Sequence, residues 1–236
     1  MEPEKYPMRI NKYLAHTGIA TRREADNLIE KGFVFVNGKK AVLGQTISKT
    51  DKVEVRRKQK NKYVYLAFNK PVGIVTHSPQ GSEQEIKDIL DIKGVFPVGR
   101  LDKNSHGLII LTNDGRLTDK LLNPESGHEK EYLVTTKDKL RSSFKEKMEG
   151  GVKIEGYTTK PTRVDILGEN KFKIILTEGK RHQIRRMVVA LFNEVRELCR
   201  IRIMNIKLGN LKPGEYRYLE GDELSRFLTA LGILQG

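Results

Sequence analysis

The chain of 236 residues carries a formal net charge of +14, with 37% hydrophobic and 31% charged residues. That length allows one good-sized core plus a small second module, since domains cluster near ~100–150 residues, and the composition is that of a globular chain rather than a disordered one. No run approaches the ~18 apolar residues of a membrane span, and Met1-Glu2-Pro3-Glu4-Lys5 offers no signal-peptide core. Cys199 is the single cysteine and has no partner for an internal disulfide. A reducing cytoplasm, away from membranes, is therefore the expected setting.

The charge surplus points to a polyanionic partner, because basic side chains displace condensed counterions from phosphates. Its distribution weighs against a merely soluble basic protein. Residues 1–62 hold 15 Lys+Arg and 7 Asp+Glu, a net of +8 of the chain's +14 in about a quarter of its length. Clustering of this kind favours nucleic acid.

The first module reads helix, helix, hairpin. Ile10, Tyr13 and Leu14 form an apolar stripe at helical spacing, and Gly18 stops that helix. Thr21 and Glu24 have capping-box spacing ahead of a second helix that turns Ala25, Leu28 and Ile29 inward and ends at Gly32. Phe33–Val36 is strand-like, Asn37-Gly38 is a hairpin turn, and Val53–Val55 adds a strand. Arg9, Lys12, Arg22 and Arg23 gather near two helix starts, where amide groups already favour phosphate. Solvated charge is the alternative, but four converging cations favour RNA contact. The run Arg56-Arg57-Lys58-Gln59-Lys60-Asn61-Lys62 has no apolar member and marks a linker, which serves RNA contact or simple solvation about equally well. The boundary is set there: 1–62 as the RNA-binding module with its linker, 63–236 as the larger domain.

In the larger domain, Tyr63–Phe68, Val95–Val98, Leu108–Thr112, Tyr132–Thr136, Phe172–Thr177 and Val195–Ile203 read as strands. Glu83–Asp91 (capped by Ser82), Leu140–Met148 and Gln183–Phe192 read as helices. Strands outnumber helices without strict alternation, so the expected class is α+β, with a mixed, mostly antiparallel sheet flanked by helices.

The five histidines, at 16, 77, 106, 128 and 182, are scattered and show no zinc-ligand spacing. Phosphate-loop, dinucleotide and nucleophile-elbow patterns are missing too. Chemistry without metal or cofactor is the simplest remainder. The most unusual local sequence is Val98-Gly99-Arg100-Leu101-Asp102-Lys103-Asn104-Ser105-His106-Gly107-Leu108, in which a strand ends at glycine and a tight loop leads into a second strand. Asp102 on such a loop is rigidly held yet outward-facing, as catalytic groups often are. Taken alone, an aspartate in such a loop is more often a turn former, paired with Arg100 or Lys103, than a catalytic group. Asp114-Gly115 reads as an ordinary turn. Tyr132 opens a strand, either as a half-buried sheet residue or as a ring that stacks on a base. In Glu178-Gly179-Lys180-Arg181-His182-Gln183-Ile184-Arg185-Arg186-Met187 a strand meets a basic turn and a helix start, which suits phosphate or a buried carboxylate.

Together, the segments GRLDKNSHGLIILTNDG, EKEYLV and EGKRHQIRRM resemble the three motifs of bacterial RNA pseudouridine synthases of the RsuA type. Asn69-Lys70-Pro71-Val72-Gly73 resembles that family's early KPxG element. The first module looks like the small (αL-type) RNA-binding domain first described in the fourth protein of the ribosomal small subunit. Arg200-Ile201-Arg202-Ile203-Met204-Asn205 resembles the large-subunit branch, its F-type enzyme above all. The resemblance implies the pseudouridine synthase fold, no cofactor or metal, and structured RNA as partner; a monomer is expected. It implies Asp102 as the essential aspartate and Arg100 as the arginine that holds the flipped site open. Tyr132 would stack on the uracil, Arg185 would pair with Asp102, and Leu176 would form part of an apolar floor. Lys70 and Arg181, within matching motifs, are expected to contact RNA. A tRNA-specific synthase and a non-catalytic ribosome-assembly factor are the alternatives.

Overall fold

The computed structural model describes residues 6–56 and 63–234, so most of the expected linker lies outside the described residues. The chain forms two compact units, Met1–Tyr63 and Val64–Gly236. None of its described helices is long and apolar enough to cross a membrane.

In the first unit, helices Ile10–His16 and Arg22–Glu30 pack together through a core that includes Ile10, Leu14, Ala25, Ile29, Val34 and Ile47. The second helix begins as its sequence dictates. The Thr21 amide donates to the Glu24 carboxylate at 2.8 Å, and the Glu24 amide donates to Thr21 Oγ1 at 3.2 Å. Such a cap contributes about 1 kcal/mol. Asn11 Nδ2 donates to Asp26 Oδ1 at 2.9 Å, linking the two helices. Asn37 and Gly38, with φ of 50° and 78°, turn the chain between paired strands Val34–Val36 and Lys39–Lys40. The first of these also pairs with Val53–Val55.

Among the described residues, the second unit is built on a nine-stranded sheet. Its main path runs Arg163–Gly168, Lys171–Leu176, Lys130–Thr136, Val195–Ile203, His106–Thr112, Tyr65–Lys70, Tyr216–Tyr218. Phe96–Val98 pairs with His106–Thr112, and Ile206–Lys207 with Val195–Ile203. All pairings are antiparallel except that between Val195–Ile203 and His106–Thr112. The expected mixed, mostly antiparallel α+β sheet is thus observed. All six residues of Tyr65–Lys70 are buried, because this strand lies inside the sheet with both faces covered. Phe144, Phe172, Ile174, Ile184 and Met187 form part of one core cluster, while Leu66, Phe68, Ile86, Ile109 and Leu111 form another.

Several element boundaries differ from the sequence reading. The helix expected at Glu83–Asp91 is confined to Ile86–Ile89. Glu83 is used elsewhere, its carboxylate accepting from the Gln80 amide at 3.1 Å, and the helix starts where Asp88 accepts from the Glu85 amide at 2.9 Å. The helix expected from Leu140 begins at Phe144, since the Leu140 amide is drawn to the Glu169 carbonyl at 2.6 Å. Helices Arg116–Leu122 and Gly221–Ala230 and strands Arg163–Gly168 and Tyr216–Tyr218 go beyond the expectation. Asp114 is no surface turn residue. It is fully buried, accepts from the Tyr65 hydroxyl at 2.6 Å, and binds the Arg116 guanidinium at 2.8 Å.

Candidate active site

Residues 99–105 connect Phe96–Val98 to His106–Thr112 and carry Asp102. Gly99, with φ of 78°, makes the exit from the first strand in the left-handed region that glycine adopts at little cost. The loop is pinned at successive points. Buried Thr76 accepts from the Leu101 amide at 3.0 Å and donates to the Leu101 carbonyl at 2.8 Å. The Gly73 amide donates to the Lys103 carbonyl at 2.9 Å, so the KPxG turn braces the loop directly. The Ser105 amide donates to the Asp102 carbonyl at 3.0 Å. A loop with its backbone groups satisfied in this way presents its side chain on a stiff support.

The Asp102 carboxylate is 37% exposed, with His182 Nε2 3.4 Å from its Oδ1. Lys103 does not neutralise it, being paired with Glu83 at 2.9 Å, and Arg100 is exposed. Arg185 differs from the expectation. Its Nη2 donates to the Asn104 carbonyl at 2.7 Å and to Ser105 Oγ at 3.2 Å, and its Nη1 to the Val195 carbonyl at 3.2 Å. It grips the loop that bears Asp102, and the group beside the carboxylate is the His182 imidazole. The planar fork of a guanidinium suits it to several carbonyl and hydroxyl acceptors at once.

Lys70 also departs from its expected role. It is fully buried, and Nζ donates to the Pro71 carbonyl at 2.8 Å and to the Ile74 carbonyl at 2.5 Å. It has no surface to offer RNA, because the KPxG turn closes over its ammonium. Burial pushes its pKa down to about 8; the Asp102 charge opposes this and Arg200 adds to it. Desolvation of a cation is the dominant cause. Lys70 therefore acts on Asp102 through its charge and braces the turn from below.

Tyr132 is half-buried and packs against the cluster that contains buried Leu176, Ile174 and Ile184. In the ladder it stands between Arg200 and Ile174. Arg181 is exposed just ahead of the helix Gln183–Ala190. In the first unit Arg9, Lys12, Arg22 and Arg23 are all exposed. Arg9 precedes the first helix, Lys12 lies in its first turn, and Arg22 and Arg23 open the second.

Sequence reasoning gave no role to His182, Thr76 or Arg200. His182 lay inside a motif already singled out, and its position before a helix was the available signal. Its φ of 51° and ψ of 30° are unusual for a residue other than glycine. Thr76 carries no signal and Arg200 only that of the segment 200–205, since a buried polar residue in a strand or turn reads like an exposed one until the fold covers it.

The first unit matches the S4 domain over residues 8–53, and the second matches the RNA pseudouridylate synthase model over residues 64–190. The chain is 44% identical over 223 residues to the dual-specificity RNA pseudouridine synthase RluF of Escherichia coli, covering 92% of this chain and 77% of that one. It is 32% identical to the ribosomal large subunit pseudouridine synthase B of Bacillus subtilis, covering 92% and 94%. A crystal structure of a pseudouridylate synthase superposes with a TM-score of 0.69 at 29% identity, over 95% of this chain and 99% of that one. With over half its length matched by the family model and relatives aligned along most of both chains, this chain belongs to the RNA pseudouridylate synthase family.

Proposed function

We propose that this RNA pseudouridine synthase isomerises a specific uridine of ribosomal RNA, in the large subunit, with Asp102 as its catalytic carboxylate. The observation that carries the reading is Asp102 itself: a partly exposed carboxylate beside His182 on a loop pinned by Thr76, Gly73 and Arg185. The reaction breaks the bond from ribose to nitrogen 1 of uracil, turns the base, and rejoins it through carbon 5. Carbon 5 gives up its proton and nitrogen 1 gains one, so nothing is consumed.

Reaching a stacked base requires extruding it, at a cost of a few kcal/mol. Arg100, exposed beside Asp102, enters the vacated space, and Tyr132 stacks on the extruded ring, an interaction of roughly 1–3 kcal/mol. Leu176 forms part of the apolar floor against which Tyr132 packs. Arg185 serves as a positioning residue, through Asn104 and Ser105. The first unit, residues 1–62 with the linker, anchors RNA through Arg9, Lys12, Arg22 and Arg23, with Arg181 adding a phosphate contact. Such contacts set affinity and orientation rather than sequence choice. The protein acts as a single copy in the cytoplasm.

The name of the Bacillus subtilis relative supports the large-subunit target, and that of the E. coli relative, dual-specificity, supports a second RNA substrate. The test is tritium release from ribosomal RNA labelled at carbon 5 of uracil. The parent protein releases tritium, and Asp102→Asn releases none while binding the RNA within a few-fold of the parent. Tritium release by the variant would refute the assignment.

A further inference from the structure

Arg200 sits in the middle of the long sheet and is 4% exposed. One row of ladder partners crosses the sheet as Lys70, Gly107, Arg200, Tyr132 and Ile174. Directly opposed residues present their side chains to the same face, so Arg200 stands beside Tyr132. Its neighbour on the other side is Gly107, which contributes no side chain, and the guanidinium reaches the backbone before and after Asp102. Nε donates to the Leu108 carbonyl at 2.7 Å, and Nη1 to the Arg100 carbonyl at 3.4 Å. One carbonyl belongs to the loop just before Asp102, and the other to the strand that follows the loop.

Stability alone does not account for this residue. Nη2 is buried with no hydrogen-bond partner. Among the described residues no carboxylate forms an ion pair with Arg200; its charge instead bears on Lys70 and Lys130, whose ammonium groups it disfavours. A buried guanidinium with one nitrogen unsatisfied and cations around it costs more than an apolar side chain of similar size. What an apolar residue cannot do is span two carbonyls at a fixed separation, which the rigid fork of arginine does.

We propose that Arg200 is a positioning residue of the isomerisation: by joining the backbone before and after Asp102 it fixes where the carboxylate stands, without touching the substrate. Thr76 and Arg185 hold the middle of the loop, and Arg200 closes its base. The catalytic half of the proposal rests on the function proposed above, whereas the structural half does not.

The test uses Arg200→Gln and Arg200→Lys in the full chain, neither of which spans both carbonyls. Hydrogen exchange followed by mass spectrometry reports on peptides covering residues 100–108 and, as a control, 171–176. The loop peptides are expected to exchange at least about tenfold faster than in the parent, with the control unchanged. On carbon-5-tritiated ribosomal RNA, kcat falls about 30-fold or more while KM stays within about twofold. Parent-like loop exchange in a folded variant overturns the proposal. So does equal acceleration across the sheet, or failure of both variants to fold, since either assigns Arg200 to the fold alone. If the parent itself releases no tritium, the functional reading fails, and loop exchange still decides whether Arg200 positions the loop.

Discussion

His182 faces Asp102 from the start of a helix, with Nε2 3.4 Å from Oδ1, and it holds left-handed backbone angles to do so. That conformation costs a residue with a Cβ about 1–2 kcal/mol. Strain of this kind, kept beside the carboxylate proposed as catalytic, fits a functional role for His182. His182→Gly is therefore expected to raise stability by about 0.5–1 kcal/mol while lowering turnover severalfold. Urea denaturation and tritium release on the same preparation check both halves. A variant less stable than the parent would show that the backbone is not strained.

Gly107 is irreplaceable for a different reason. A Cβ there would lie 2.4 Å from the carbonyl oxygen of Arg200, and φ is 105°. The obstacle is backbone of the neighbouring parallel strand, which cannot rotate aside. Gly107→Ala should cost more than about 2 kcal/mol, since strain and displacement add. A change in the denaturation midpoint worth less than about 0.5 kcal/mol would contradict the close approach.

Lys70 gives the protein a stability that rises with alkaline pH. Its folded pKa of about 8 lies below the ordinary 10.5. Below pH 8 both folded and unfolded chains hold the proton, and the folded chain bears the full cost of burying it. Between pH 8 and 10.5 the unfolded chain binds more protons, so this group's contribution to stability increases with pH, by at most about 1.4 kcal/mol per unit. Relative to Lys70→Met, the parent should gain stability from pH 7 to pH 10. Parallel curves for the two proteins would show that Lys70 is not the group responsible.

The four exposed cations of the first unit should set the salt dependence of RNA binding. Replacing Arg9, Lys12, Arg22 and Arg23 by Gln in the full chain is expected to reduce the slope of log affinity against log salt by about 3. Titrations between low and moderate salt measure it. An unchanged slope would mean that other basic residues carry the phosphate contacts.

The features legible in the sequence were those fixed by nearby residues. Thr21 and Glu24 lie three apart and cap one helix, and Asn37-Gly38 specifies its own turn. The Asp102 loop was legible because Gly99 and Gly107 bracket it between two strands. Tertiary context decided what could not be read. Lys70 reads as a surface cation until its strand is covered on both faces and the next turn closes over it. Asp114 reads as a turn until Tyr65, 49 residues earlier, supplies its hydroxyl. The sequence brings Arg185 to the right loop but to a different partner, since spacing cannot tell a grip on Asn104 and Ser105 from one on the carboxylate next to them.

The most direct test of the central claim is a pseudouridine map of ribosomal and transfer RNA from cells lacking this protein, complemented with the parent or with Asp102→Asn. The account predicts that a site in large-subunit ribosomal RNA loses its pseudouridine on deletion and regains it with the parent but not with the variant. Restoration by Asp102→Asn, or a ribosomal RNA map unaffected by the deletion, would contradict it.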